Sequence, residues 1–154
     1  MAGKIETRLA ELGITLPVAA TPLANYVPFV VTGNLVMVSG QIPVVDGRIV
    51  YTGKISQGMS IQDGQDAARL CFINVLAQVK AACYSLDRVR RVVRLGGFIA
   101  APADFTAHAQ VMNGASDLAV AVFGDLGRHA RSTIGVPSLP GNATVEVEGL
   151  FEID

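Results

Sequence analysis

The feature that most constrains this fold is a switch in hydrophobic period at Ser60. Before it, short apolar runs are broken by turn residues. Tyr26 to Val31 is followed by Thr32-Gly33-Asn34, then Leu35 to Ser39, then Val44-Val45 and Ile49-Val50 around Asp46-Gly47. Such runs read as strands, and Asp-Gly between two of them is a hairpin signal. The run from Leu35 is apolar on both faces, so both sides of it are expected to be covered. After Ser60, residues Ala68, Cys71, Phe72, Val75, Val79, Ala82 and Cys83 recur at helical spacing. That predicts a helix to about Tyr84. Ser60 is its N-cap, and Asp63 completes a capping box, a motif that prefers Glu or Gln. The period then reverts: Val89 to Ala100 predicts a strand ending near Gly96-Gly97 or just beyond.

A second helix is predicted from Val111, Ala115, Leu118, Ala119, Val122 and Phe123, with Asn113-Gly114 weakening its first half. Two closing strands follow, joined by a Pro/Gly turn and read as a hairpin. In the last, Val145, Val147, Gly149, Phe151 and Ile153 share one face, and Glu146, Glu148, Leu150 and Glu152 the other. The order of strands, helix, strand, helix, strands predicts an α+β fold, a single sheet with two helices packed on one face. Ile5 to Leu12 adds a short helix stopped at Gly13, and Pro17 and Pro22 mark extended chain after it. The 154 residues read as one domain, 1–154, with 1–16 as an N-terminal helical extension.

Composition narrows the function. The chain is 51% hydrophobic and 16% charged, an apolar excess that points to an oligomer with buried interfaces. Roughly 18 consecutive apolar residues are needed for a membrane helix, and no such run exists. A net charge of −1 and the absence of Trp argue against a nucleic-acid partner. The first residues lack the apolar core of a signal peptide. Cys71 and Cys83 fall twelve positions apart in one helix, about 18 Å along its axis and too far for a bridge. Two buried thiols fit a reducing cytosol, so a cytoplasmic location is expected.

The closing strands hold the chemistry. Alternation puts His129, Arg131 and Thr133 on one face. A guanidinium stays charged and fits a carboxylate with two parallel bonds. Arg131 in an apolar strand therefore needs an anion, either a substrate carboxylate or a structural partner such as Glu146 or Glu148. Glu146, between two valines, either takes a proton from water or faces solvent on an edge strand. His129 is a general base beside Arg131 or a structural residue, and His108 reads as a surface loop residue. Ser39 lies outside any nucleophile-elbow pattern. Two His and two Cys without ligand spacing offer no metal site, and no glycine-rich phosphate loop is present.

Taken together, Tyr26, Gly33 to Pro43, Asn74-Val75-Leu76, Ala130-Arg131-Ser132, Leu139-Pro140 and Val145-Glu146-Val147-Glu148, in that order, resemble the YjgF/RidA family. These are the reactive intermediate imine deaminases, some labelled endoribonuclease L-PSP. The resemblance implies a chorismate-mutase-like fold, assembled as a homotrimeric barrel with sites in the clefts between subunits. It implies that Arg131 pairs with a substrate carboxylate and Glu146 activates the hydrolytic water. It also implies that Tyr26 and Gly40 line the cleft, and that Asn113, just before the second helix, and Thr133 contact substrate. The implied reaction is hydrolysis of small 2-imino acids, formed from enamines such as 2-aminoacrylate, to 2-keto acids and ammonia without a cofactor. Other readings are a non-catalytic trimer that binds small carboxylates or regulates, and an endoribonuclease or translation inhibitor. The chain departs from the family at His129, where members usually carry Pro, at Thr133, often Cys or Val, and in a longer segment from Asn113 to Phe123.

Overall fold

The computed structural model describes residues 2–22 and 24–154, so Met1 of the 1–16 extension lies outside the described residues. The extension forms α1, Lys4–Glu11. Its first amides are capped from far along the chain: Lys4 and Ile5 donate to the two carboxylate oxygens of Asp87 at 2.9 and 2.7 Å. Gly13, at φ +72°, turns the chain out of the helix.

Strand β1, Phe29–Thr32, turns at Gly33-Asn34 into β2, Leu35–Gln41, and the two pair antiparallel. The first strand starts later than Tyr26, which lies in a bend before it. Pro28 has no N–H to give to a ladder, though its carbonyl accepts from Ser39 at 2.9 Å. The expectation that β2 is covered on both faces fails within the chain. Val36 and Val38 are buried, but Met37 on the opposite face is 55% exposed. Asp46 and Gly47 turn a two-residue hairpin between Val44–Val45 and Arg48–Ile49, both at positive φ, as a type I′ turn requires.

Helix α2 spans Ile61–Cys83. Its capping box forms as the sequence predicts: Asp63 N–H donates to Ser60 Oγ at 3.0 Å, and Ser60 N–H to Asp63 Oδ2 at 2.8 Å. Tyr84 ends it in a left-handed conformation at φ +67°. Strand β3, Val89–Ala100, runs on through its glycines, and Met112 occupies the space a side chain at Gly97 would take. Helix α3 spans His108–Phe123. It therefore starts before Val111, takes His108 out of the expected loop, and places Asn113 inside the helix rather than ahead of it. Gly114 marks where α3 meets α2, since a Cβ there would collide with the Gln65 carbonyl.

Strands β4, Ala130–Val136, and β5, Val145–Ile153, do not form the expected hairpin. The sheet order is β1-β2-β5-β3-β4. The chain leaves β3, crosses through α3, and returns as β4 parallel to it, the geometry a helical crossover imposes. The connection after Val136 then passes over the end of β3, whose Ala101 and Ala100 amides bond Val136 and Thr144 carbonyls. That delivers β5 to the other edge of β3, antiparallel to both β3 and β2.

Helices α2 and α3 cover one face of this sheet. Phe72 stacks on Phe151 at 6.4 Å, within a core that includes Leu76, Val79, Leu95 and Val147. The last strand alternates as read: every residue of the Val145 set is buried and every residue of the Glu146 set is partly exposed. Among the described residues no helix covers the opposite sheet face, which carries Met37, Arg94, Phe98, Glu146, Glu148, Leu150 and Ile134. Among the described residues no helix is long and apolar enough to cross a membrane.

Candidate functional site

Arg131 sits in register with Leu95 on β3 and so points toward the helices. Its Nη1 donates to Asn113 Oδ1 and to Ser116 Oγ, both at 3.0 Å, and its Nη2 to the Ala109 carbonyl at 3.4 Å. Ala109, Asn113 and Ser116 fall at i, i+4 and i+7, a single stripe of α3. Among the described residues no carboxylate lies within ion-pair distance of Arg131. Glu148, one of its expected structural partners, pairs instead with Arg94 at 3.5 Å. Thr133 follows on the same strand face, opposite Gly97, and its Oγ1 is buried with no hydrogen-bond partner among the described residues.

Glu146 sits in register with Phe98 and points away from the helices. Burial raises its proton affinity above the ordinary carboxylate value, and the charge of Glu148 adds to the effect. Gly40 lies against it: an ideal Cβ there would stand 2.6 Å from Glu146 Oε1 and 2.8 Å from its carboxyl carbon. Gly40 belongs to β2 rather than to a turn, at a register shift between Val38 and Gln41, where a bulge re-aims the backbone. Tyr26 is 55% exposed. The chain just after it is tied beside Gly40 by the Ser39 hydroxyl, which donates to the Val27 carbonyl at 2.8 Å.

The chain therefore carries two groups on opposite sheet faces: Arg131 with Asn113 and Thr133, and Glu146 with Gly40. Strand β3 separates them. The spacing is two interstrand steps and three residues along β3, roughly 14 Å between Cα positions. The sequence reading placed Arg131 and Glu146 together on one hairpin, and the interposed strand rules that out within one chain.

Two more residues enter the Arg131 group: His129, which the sequence placed on the same strand face, and Ser116, which it did not single out. His129 holds its Nδ1 at 2.6 Å from the Gly127 carbonyl and its Nε2 at 2.8 Å from Ser116 Oγ. The sequence reading missed Ser116. Its signal was the spacing of three residues from Asn113 on the same helix. His108 lies edge-on to Phe105 at 5.0 Å, with its ring against Gly135. Cys71 and Cys83 are buried free thiols, and burial pushes Cys71 well above the usual thiol range, which makes it a packing residue.

A family model described as "YjgF/chorismate mutase-like, putative endoribonuclease" matches residues 6–153. The chain is 45% identical over 153 residues to Protein TCP17 of Trypanosoma cruzi, covering 99% of this chain and 96% of that one. It is 35% identical over 141 residues to a 2-iminobutanoate/2-iminopropanoate deaminase of Dermatophagoides farinae, covering 92% and 95%. A crystal structure of an Agrobacterium tumefaciens protein of unknown function superposes with a TM-score of 0.92 at 50% identity, over 97% of this chain and 92% of that one. The family match spans almost the whole domain, and the chain belongs to the YjgF family.

Proposed function

We propose that this protein hydrolyses small 2-imino acids of the 2-aminoacrylate type to 2-keto acids and ammonia. The proposed site is a cleft between subunits of a homotrimer. The observation that carries this reading is the state of Arg131: among the described residues its guanidinium is held only by uncharged acceptors, so its charge is left for an anionic ligand. A relative that shares 35% of its residues is a 2-iminobutanoate/2-iminopropanoate deaminase. The opposite facing of Arg131 and Glu146 supports a site that takes one group from each of two chains.

The chemistry follows from those groups. Arg131 grips the substrate carboxylate and orients the C=N carbon. A protonated imine is already electrophilic, so water needs only a base to attack it. Glu146, whose proton affinity burial has raised, takes that proton. The water oxygen bonds to the imine carbon, giving a carbinolamine, and Glu146 returns the proton to nitrogen. The C–N bond then breaks, ammonia leaves, and the hydroxyl proton passes to Glu146 as the keto carbonyl forms. Tyr26, Gly40, Asn113 and Thr133 shape the cleft around these atoms.

Incubation with freshly generated 2-aminoacrylate, following keto-acid formation, tests this. Acceleration over buffer that disappears in Arg131→Ala and Glu146→Gln is expected. No acceleration removes the reading for that substrate. Arg131-dependent carboxylate binding without turnover replaces it with a non-catalytic carboxylate binder.

A further inference from the structure

We propose that Ser116 and His129 form a one-directional hydrogen-bond relay that positions Arg131 for carboxylate capture. The role rests on the deaminase reading above. Hydrogen-bond directions follow from what each group can do. The Gly127 carbonyl only accepts, so the Nδ1 that lies 2.6 Å from it carries the proton. In the neutral ring Nε2 is then an acceptor, and the Ser116 hydroxyl 2.8 Å away donates to it. With its proton committed, Ser116 Oγ offers lone pairs to Arg131 Nη1 at 3.0 Å. Asn113 Oδ1 accepts from the same nitrogen at 3.0 Å.

Two consequences give the arrangement a function. Both Nη1 protons are taken, while Nε–H and one Nη2 proton have no partner among the described residues. Those two donors are left for a carboxylate, which a guanidinium binds through charge-assisted hydrogen bonds. With the imidazole neutral, the relay adds no charge beside Arg131. A carboxylate at position 116 would hold the guanidinium equally well and cancel the charge that a substrate needs.

His129 supplies what Ser116 lacks alone. A serine inside a helix tends to donate to the carbonyl one turn back, which would turn its lone pairs away from Arg131. The imidazole acceptor draws the hydroxyl proton to the other side. Its anchor is fixed, because Gly127 packs so closely on α3 that a Cβ would stand 2.6 Å from the Ala119 carbonyl carbon.

The test uses the full-length protein, with pyruvate as carboxylate probe and 2-aminoacrylate as substrate. Nitrogen NMR of the His129 ring is expected to show the Nδ1-protonated neutral tautomer. Ser116→Ala is expected to raise both the pyruvate Kd and the KM about tenfold, the scale of one hydrogen bond to a charged group, with kcat within about twofold. Ser116→Thr, which keeps the hydroxyl, is expected to restore both. His129→Phe, which keeps a ring but offers no acceptor, is expected to weaken pyruvate binding in the same direction and serves if Ser116→Ala fails to fold. An Nε2-protonated ring, or pyruvate binding unchanged in both Ser116→Ala and His129→Phe, overturns the relay. Arg131-dependent pyruvate binding that responds to Ser116→Ala, in a protein that never turns over imine, overturns the deaminase reading and leaves the relay standing. Absence of Arg131-dependent pyruvate binding in the unsubstituted protein overturns both.

Discussion

Mixing two inactive variants is expected to restore activity. Arg131 is in register with Leu95 and Glu146 with Phe98, on opposite faces and roughly 14 Å apart. Carboxylate and reacting carbon lie one bond apart in a 2-imino acid, and a near-attack water stands about 3–3.5 Å from that carbon. One chain cannot bring both groups to such a substrate. If each cleft takes its arginine from one chain and its glutamate from the next, Arg131→Ala and Glu146→Gln damage different halves. In a randomly mixed ring made from equal amounts of the two, a cleft is intact when its arginine comes from the glutamate variant and its glutamate from the arginine variant. Each condition holds half the time. About one quarter of clefts are therefore restored, whatever the ring size. The assay is keto-acid formation from 2-aminoacrylate by co-expressed, differently tagged chains, compared with each variant alone. A mixed sample that is no more active than the separate variants, although both tags co-purify, refutes the two-chain cleft.

Three further outcomes follow from the packing. Gly40→Ala places a Cβ 2.6 Å from Glu146 Oε1 and forces the carboxylate aside. A side-chain tip can move, so the melting temperature should fall by no more than a few degrees while kcat drops about tenfold or more, within the range a general base supplies. Glu146 holds its proton above its ordinary value of 4.5, first through burial and then through Glu148. The folded chain thus binds more protons than the unfolded chain between those two values, and stability is lost as pH rises through that window. Melting curves against pH should show Glu146→Gln gaining on the unsubstituted protein above the window. Glu148→Gln should move the acidic limb of kcat/KM downward, and a limb that stays in place counts against the charge effect. Gly114→Ala would ordinarily strengthen a helix by up to about 1 kcal/mol. Here its Cβ meets the Gln65 carbonyl, so denaturant unfolding should show a loss of about 1–3 kcal/mol.

Local signals were legible and long-range ones were not. The Ser60–Asp63 box, the Asp46-Gly47 turn and the alternation from Val145 to Ile153 depend on neighbours within a few residues, and all three formed as read. The pairing of β4 with β5 depended on sequence proximity, and proximity misled. A helix between β3 and β4 permits a parallel return beside β3, and that return leaves the other edge of β3 for β5. Asn113-Gly114 read as a helix weakness because composition cannot show that α2 lies against that glycine. His108 read as loop for the same reason: the pattern began at its first buried residue, Val111, one turn after the helix starts. The family resemblance singled out Arg131, Glu146, Gly40 and Asn113. It did not single out Ser116, which has meaning only once His129 stands across from it.

The strand between the two groups also bears on how such a protein diverges. Residues on the α3 side share no partner with Glu146 and Gly40 on the other side. Substitutions at such separation add almost independently. Drift around Arg131 therefore leaves Glu146 and Gly40 untouched within the same chain. Under the proposed activity the domain is modular in this sense: substrate preference is open to selection on one face of the sheet while the hydrolytic group on the other is inherited unchanged.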